Sequence, residues 1–174
     1  TEKYGIKALA IAAGALYRGV CKSVGFDVID VPGATGTVET DTVAKAKAAV
    51  HNLPNYDYIL IHVKGTDNAS HDGNAKQKIM MIERIDALVE YLINNVDLND
   101  VFIAITADHT TSLDLREHMG DPVPLAIIGP GVRTDPVKKY SEIDCAQGGL
   151  GRIKGVDLTP ILVDLAGKSK KFGS

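Results

Sequence analysis

Tyr58-Ile59-Leu60-Ile61-His62-Val63, followed across Lys64-Gly65-Thr66 by Asp67-Asn68-Ala69-Ser70-His71, is the stretch from which the rest of this chain is read. A short apolar run closed by a polar turn reads as a buried strand, and this one delivers an acid and an imidazole one turn apart. The same grammar returns downstream, where Val101-Phe102-Ile103-Ala104-Ile105-Thr106-Ala107 runs into Asp108-His109, with His118 soon after. In open α/β sheets ligands gather just beyond the carboxyl ends of strands, so both acid-histidine pairs fall where that architecture keeps its chemistry. Carboxylates and neutral imidazoles are ligands for divalent cations. Asp67, His71, Asp108, His109 and His118 therefore read as most of a two-metal centre.

The flanks supply the architecture. Residues 7–13 form an apolar strand, and Leu16, Val20 and Val24 sit at helical spacing before Gly25, a left-handed cap. Phe26 to Val31 is the next strand, stopped by Pro32-Gly33. The small-residue loop Ala34-Thr35-Gly36-Thr37 is read as a turn in preference to a phosphate cradle. Thr40 or Asp41 caps a helix to about His51, and strand 58–64 presents Asp67 at its end. Ala75 to Val96, with Ile79, Ile82, Ile85, Leu88, Val89 and Leu92, is a long amphipathic helix. This alternation predicts an α/β fold whose mainly parallel sheet is flanked by helices on both faces.

The step after Asp108 differs. Too few residues precede Pro122 for a crossover helix, so Val123 to Ile128 is expected to run antiparallel to its predecessor. Such a strand starts at the edge where its parallel neighbours end, which would return His118 to the rim that carries Asp67, His71, Asp108 and His109. Gly129-Pro130-Gly131 ends it, 132–139 is a polar loop and Asp144 to Arg152 is glycine-rich. A last helix is expected over Asp157 to Ala166, capped by Asp157 with Pro160 in its first turn, before a solvated tail from Gly167 to Lys171.

A chain of 174 residues predicts one domain. Hydrophobic residues at 45% and charged residues at 24% exclude a disordered class. A net charge of -3 argues against a nucleic-acid partner, whose phosphates require a basic excess. With no apolar run long enough to span a bilayer and no leader-like start, a cytoplasmic protein without membrane contact is expected. Cys21 and Cys145 lack metal spacing and read as reduced thiols. The start at Thr1, without methionine and almost at once in structured sequence, suggests a piece of a longer protein.

Singly, His51 and His62 read as ordinary core or surface histidines. A carboxylate dyad without metal competes with the metal reading but leaves the histidines unused. Reach sorts the ligands: Asp67 and His71 share one ion with His118, and the neighbours Asp108 and His109 serve the second. Two ligands are too few to hold that second ion. A paired site of this kind suits phosphoryl transfer.

Thr106-Ala107-Asp108-His109, Asp67-x-x-x-His71 and His118 ahead of Pro122-Val123-Pro124 resemble the metal signatures of the alkaline phosphatase superfamily. Within it the chain resembles the cofactor-independent (2,3-bisphosphoglycerate-independent) phosphoglycerate mutases, archaeal-type branch, as do Val31-Pro32-Gly33-Ala34-Thr35-Gly36 and Gly148-Gly149-Leu150-Gly151-Arg152. The resemblance covers the whole chain. It implies an alkaline phosphatase-like fold and glycolytic interconversion of 3- and 2-phosphoglycerate through a phosphoserine intermediate. It implies two divalent ions, manganese first, with zinc, cobalt or magnesium as other candidates, and it assigns Asp67, His71 and His118 to one and Asp108 and His109 to the other. It suggests Lys3, in Thr1-Glu2-Lys3-Tyr4, as a lysine beside the metals, while Arg152 could grip a carboxylate or phosphate. The family's amino-terminal segment, with its nucleophilic serine and a further aspartate ligand, and its inserted substrate domain have no counterpart here. None of Thr66, Ser70, Thr110, Thr111 and Ser112 is marked as a nucleophile. Residues 1–174 are thus expected to be the carboxyl-terminal portion, partnered by the missing amino-terminal part and inactive alone. The competing readings are another phosphatase or phosphotransferase of the superfamily, such as a homoserine kinase-like enzyme, and a non-catalytic α/β module.

Overall fold

The computed structural model describes residues 1–169. The described residues fold as two units, Thr1–Val96 with Thr111–Glu117, and Asp97–Thr110 with those from His118 onward. The expected tail ends at Lys170 and Lys171, which lie outside the described residues.

The first unit is built on a parallel sheet in the order β2-β1-β3, from β1 (Ala8–Ile11), β2 (Asp27–Val28) and β3 (Tyr58–Ile61). Leu9 pairs with Asp27 on one side of β1 and with Ile59 on the other. Central position explains the continuous apolar run of β1, buried on both faces. The second strand keeps only two residues of the six expected, because the chain leaves the ladder ahead of the Pro32-Gly33 turn. Between the strands run α1 (Ala15–Ser23) and α2 (Thr42–Asn52), and after β3 come α3 (Gly65–His71) and α4 (Ala75–Asn95). Asp41 caps α2 by accepting the Ala44 N–H at 2.8 Å, and Asn74 caps α4 from Gln77 at 3.1 Å. Leu9, Ile11 and Ala49 centre the core, with Ile29, Ile59, Ile61 and Leu92 against them.

The apolar positions of α1 do not face that core, and those of α4 do so only in part. Leu16, Val20 and Val24 are exposed on α1, which buries Cys21 instead, and Ile79 and Ile82 are exposed on α4, which buries Met81 and Leu88. Periodicity specifies that a helix has an apolar face; it does not specify what covers each row of it.

In the second unit β4 (Ile103–Thr106) pairs antiparallel with β7 (Leu125–Ile128), Ile103 opposite Ile128 and Thr106 opposite Leu125, as the short connection requires. These two strands form their own sheet, separate from β1–β3. Short pairs β5 (Thr110–Thr111) and β6 (His118–Met119) were not foreseen, nor was α5 (Glu142–Cys145), capped by Ser141. The last helix, α6, spans Gly155–Leu165 rather than starting at Asp157. Asp157 sits one turn inside it and accepts the Lys154 N–H at 3.0 Å, so its carboxylate still serves the orphan amides from a different position. Pro160 consequently falls in the second turn, where its missing N–H removes one helical bond. Among the described residues no helix is long and apolar enough to cross a membrane.

Candidate metal centre

Asp67 was expected at a strand end, but it belongs to α3. After β3 ends at Ile61, the chain turns through His62 to Lys64 and coils at once into this seven-residue helix. Asp67 stands in its first turn, where a carboxylate offsets the helix dipole, and His71 in its last, where an imidazole does. Their separation of four residues puts both side chains on one face. Too short to stand alone, α3 is held from several sides. Gly65 lets α3 pack closely on Met81: a Cβ there would lie 2.7 Å from Met81 Cε and 3.0 Å from Met81 Sδ, so the methionine end would have to shift. Asn68 Nδ2 donates to the Gly36 carbonyl at 2.8 Å, so the small-residue loop serves as a turn that braces this helix.

The Asp67 carboxylate is enclosed by donors. Thr111 Oγ1 donates to Oδ1 at 2.7 Å, Lys64 Nζ donates to Oδ2, and His71 Nε2 stands 3.3 Å from Oδ1. Burial pushes this carboxyl up, but the hydrogen bonds from Lys64 and Thr111 and the charges of Lys64 and His71 outweigh it, and its pKa is lowered to about 2. Asp67 is thus ionised at any physiological pH, as a ligand must be.

His71 is oriented from behind. Its Nδ1 lies 2.7 Å from the Arg116 carbonyl oxygen, and a carbonyl can only accept, so Nδ1 carries a hydrogen. Nε2 then faces the Asp67 oxygen. A proton on the imidazole, or a metal ion bound by both, would make this 3.3 Å approach attractive. A ring nitrogen fixed by a backbone carbonyl so that the other can ligate is the usual support of a metal-binding histidine. Arg116 delivers that carbonyl from a left-handed conformation, φ 58, the one non-glycine residue with positive φ among those described. Such a conformation costs about 1 kcal/mol or more and persists where the surroundings impose it. Here the turn imposes it: Ser112 N–H donates to the Glu117 carbonyl at 3.0 Å and Arg116 N–H to the Ser112 carbonyl at 2.9 Å.

In the second unit Asp108 follows β4, with His109 Nε2 3.6 Å from its Oδ2. The rings of His109 and His118 stack with centroids 3.7 Å apart, so these two imidazoles adjoin. Asp108 is largely exposed. Lys3 lies in a 3-10 turn ahead of β1, and the backbone nitrogen of Thr1, two residues before it, donates to the Val24 carbonyl, 3.1 Å away. This turn precedes the amino-terminal end of the parallel strand β1. Arg152 is exposed in the loop between α5 and α6. Sequence reading missed Lys64, Thr111 and the Arg116 carbonyl. Lys64, three residues before Asp67, carried the one usable signal; the others become neighbours only through the fold.

A family model described as metalloenzyme superfamily matches residues 1–165. The chain is 50% identical over its whole length to a 2,3-bisphosphoglycerate-independent phosphoglycerate mutase of Pyrococcus furiosus and covers 42% of it. It is 46% identical over 173 residues to the protein of that name in Methanococcus vannielii, covering 43%. Among solved structures, the PH0037 protein of Pyrococcus horikoshii superposes over all of this chain with a TM-score of 0.97 at 49% identity, the match taking up 53% of that protein. A cofactor-independent phosphoglycerate mutase of Thermoplasma acidophilum superposes over 92% of the chain with a TM-score of 0.70 at 27% identity, or 37% of its own length. The chain spans about two-fifths of the length of the curated relatives it matches.

Proposed function

The chain belongs to the metalloenzyme superfamily, and from that premise we propose that it is the metal-binding, carboxyl-terminal part of a cytoplasmic 2,3-bisphosphoglycerate-independent phosphoglycerate mutase, interconverting 3- and 2-phosphoglycerate. The observation that carries this reading is the pairing of His71 Nε2 with Asp67 Oδ1, an ionised carboxylate and a rear-anchored imidazole that together call for a cation. Asp67, His71 and His118 are the carboxylate and two imidazoles we assign to one ion. Asp108 and His109 serve a second ion, completed by ligands from elsewhere in the protein. Manganese is the ion we propose first, ahead of zinc, cobalt or magnesium. The relatives' greater length supports a remaining part of the protein, to which we assign the nucleophilic serine and an inserted substrate domain, with Arg152 a further candidate for the substrate's carboxylate or phosphate.

Bound there, the ions would polarise phosphoryl oxygens and favour the ionised form of an attacking hydroxyl. The chain's own residues do the rest: Thr111 holds Asp67 by hydrogen bond, the Arg116 carbonyl fixes the His71 tautomer, and Lys64 neutralises the carboxylate. Assay of the full-length protein with 3-phosphoglycerate, after chelation and after return of manganese, tests this. Activity that vanishes and returns supports it; full activity in chelator, or turnover of homoserine with ATP in its place, refutes it.

A further inference from the structure

Among the described residues, the largest of the fully buried side chains belongs to a charged residue outside the ligand set. Lys45, on α2, is 1% exposed among Thr42, Ala46 and Ala49 on the inward face of that helix. Its Nζ donates to the His62 carbonyl at 2.7 Å. Burying an ammonium is costly, and replacing such a group by an apolar one of like volume is often neutral or stabilising. Burial indeed pulls this lysine down to about 8. Stability alone therefore gives no reason for a lysine here.

Its partner's place in the chain does. His62 is the first residue past β3, and its N–H donates to the Ile11 carbonyl at 3.0 Å, extending the grip of β1 by one residue. Its carbonyl is taken by Lys45. Beyond it Val63 and Lys64 lead directly into α3, whose first turn carries Asp67. Gly65 against Met81 and Asn68 on Gly36 seat the helix sideways; the tie at His62 fixes how far along the strand it begins.

We infer that Lys45 is a positioning residue, which by holding the end of β3 sets where α3 presents Asp67 and His71 to an ion. The inference rests on the reading of those two residues as ligands. Ligand bonds of about 2.0–2.2 Å tolerate little displacement, so an error of about 0.5 Å at the helix start is enough to weaken the site.

The test uses the full-length protein as wild type, Lys45→Met and Lys45→Gln, with manganese affinity by calorimetry and the melting temperature in chelator. Lys45→Met is expected to melt at or above the wild-type temperature and to bind manganese about tenfold more weakly, within the range seen when supports of metal ligands are lost. Lys45→Gln, whose amide can still donate to a carbonyl, recovers part of that affinity. Wild-type affinity in Lys45→Met overturns the inference, and so does a fall in melting temperature in step with affinity, or failure to fold, since each assigns Lys45 to stability alone. Absence of manganese binding in the wild type defeats the ligand reading instead, and the control shows it separately.

Discussion

His71 has its two ring nitrogens assigned by different neighbours, one by a backbone carbonyl and one by a carboxylate. The group that orients it is the Arg116 carbonyl, not the Arg116 side chain. His71→Ala is therefore expected to abolish the rise in melting temperature that manganese gives, while Arg116→Gly keeps it, because glycine adopts φ 58 freely and retains the carbonyl. Thermal melts with and without manganese read both; a manganese response lost in Arg116→Gly would place the function in the guanidinium. Lys45 gives a pH signature. Its folded pKa, about 8, lies below the ordinary 10.5, so the unfolded chain binds the proton more tightly. The penalty is complete below about 8 and is relieved as pH rises from there toward 10.5. Urea denaturation across that window should show wild type gaining stability relative to Lys45→Met. At this scale the acid and imidazole ligands were legible in the sequence, since ligand chemistry is carried by residue type. Thr111 and the Arg116 carbonyl were not, because they lie 44 and 45 residues from their partners.

Among the elements, the buried central strand, the capped helix α2, the long helix α4 and the antiparallel turn-back of β7 were all readable from local pattern. The helix α3 was hidden, because its seven residues are shorter than any periodicity can register and its interior small residues, Ala69 and Ser70, are buried against α4 rather than marked by bulk. Glycines show where elements are locked. At Gly129, which ends β7 with φ 153, a Cβ would lie 2.5 Å from Phe102 Cδ1 and 2.9 Å from its Cα. Backbone cannot yield as a side-chain tip can. Gly129→Ala is expected to cost about 2 kcal/mol or more, whereas Gly65→Ala, which meets the flexible end of Met81, costs about 1 kcal/mol. Denaturant midpoints of the two variants rank them, and equal effects would contradict the packing described for β7.

For the whole molecule, the α/β class and the family were legible because the acid-histidine pairs and their spacing are specific, and comparison bears the family out. Division into two units was not, since a sequence shows where strands lie along the chain but not which strands fail to share a sheet. The central claim is that Asp67 and His71 converge because a divalent cation belongs between them. Anomalous diffraction at the manganese edge, from crystals of the full-length protein grown with manganese, tests it most directly. The account predicts a peak about 2.0–2.2 Å from both an Asp67 carboxylate oxygen and His71 Nε2, with His71 Nδ1 still on the Arg116 carbonyl; a fully occupied manganese elsewhere, with that position empty, would contradict it.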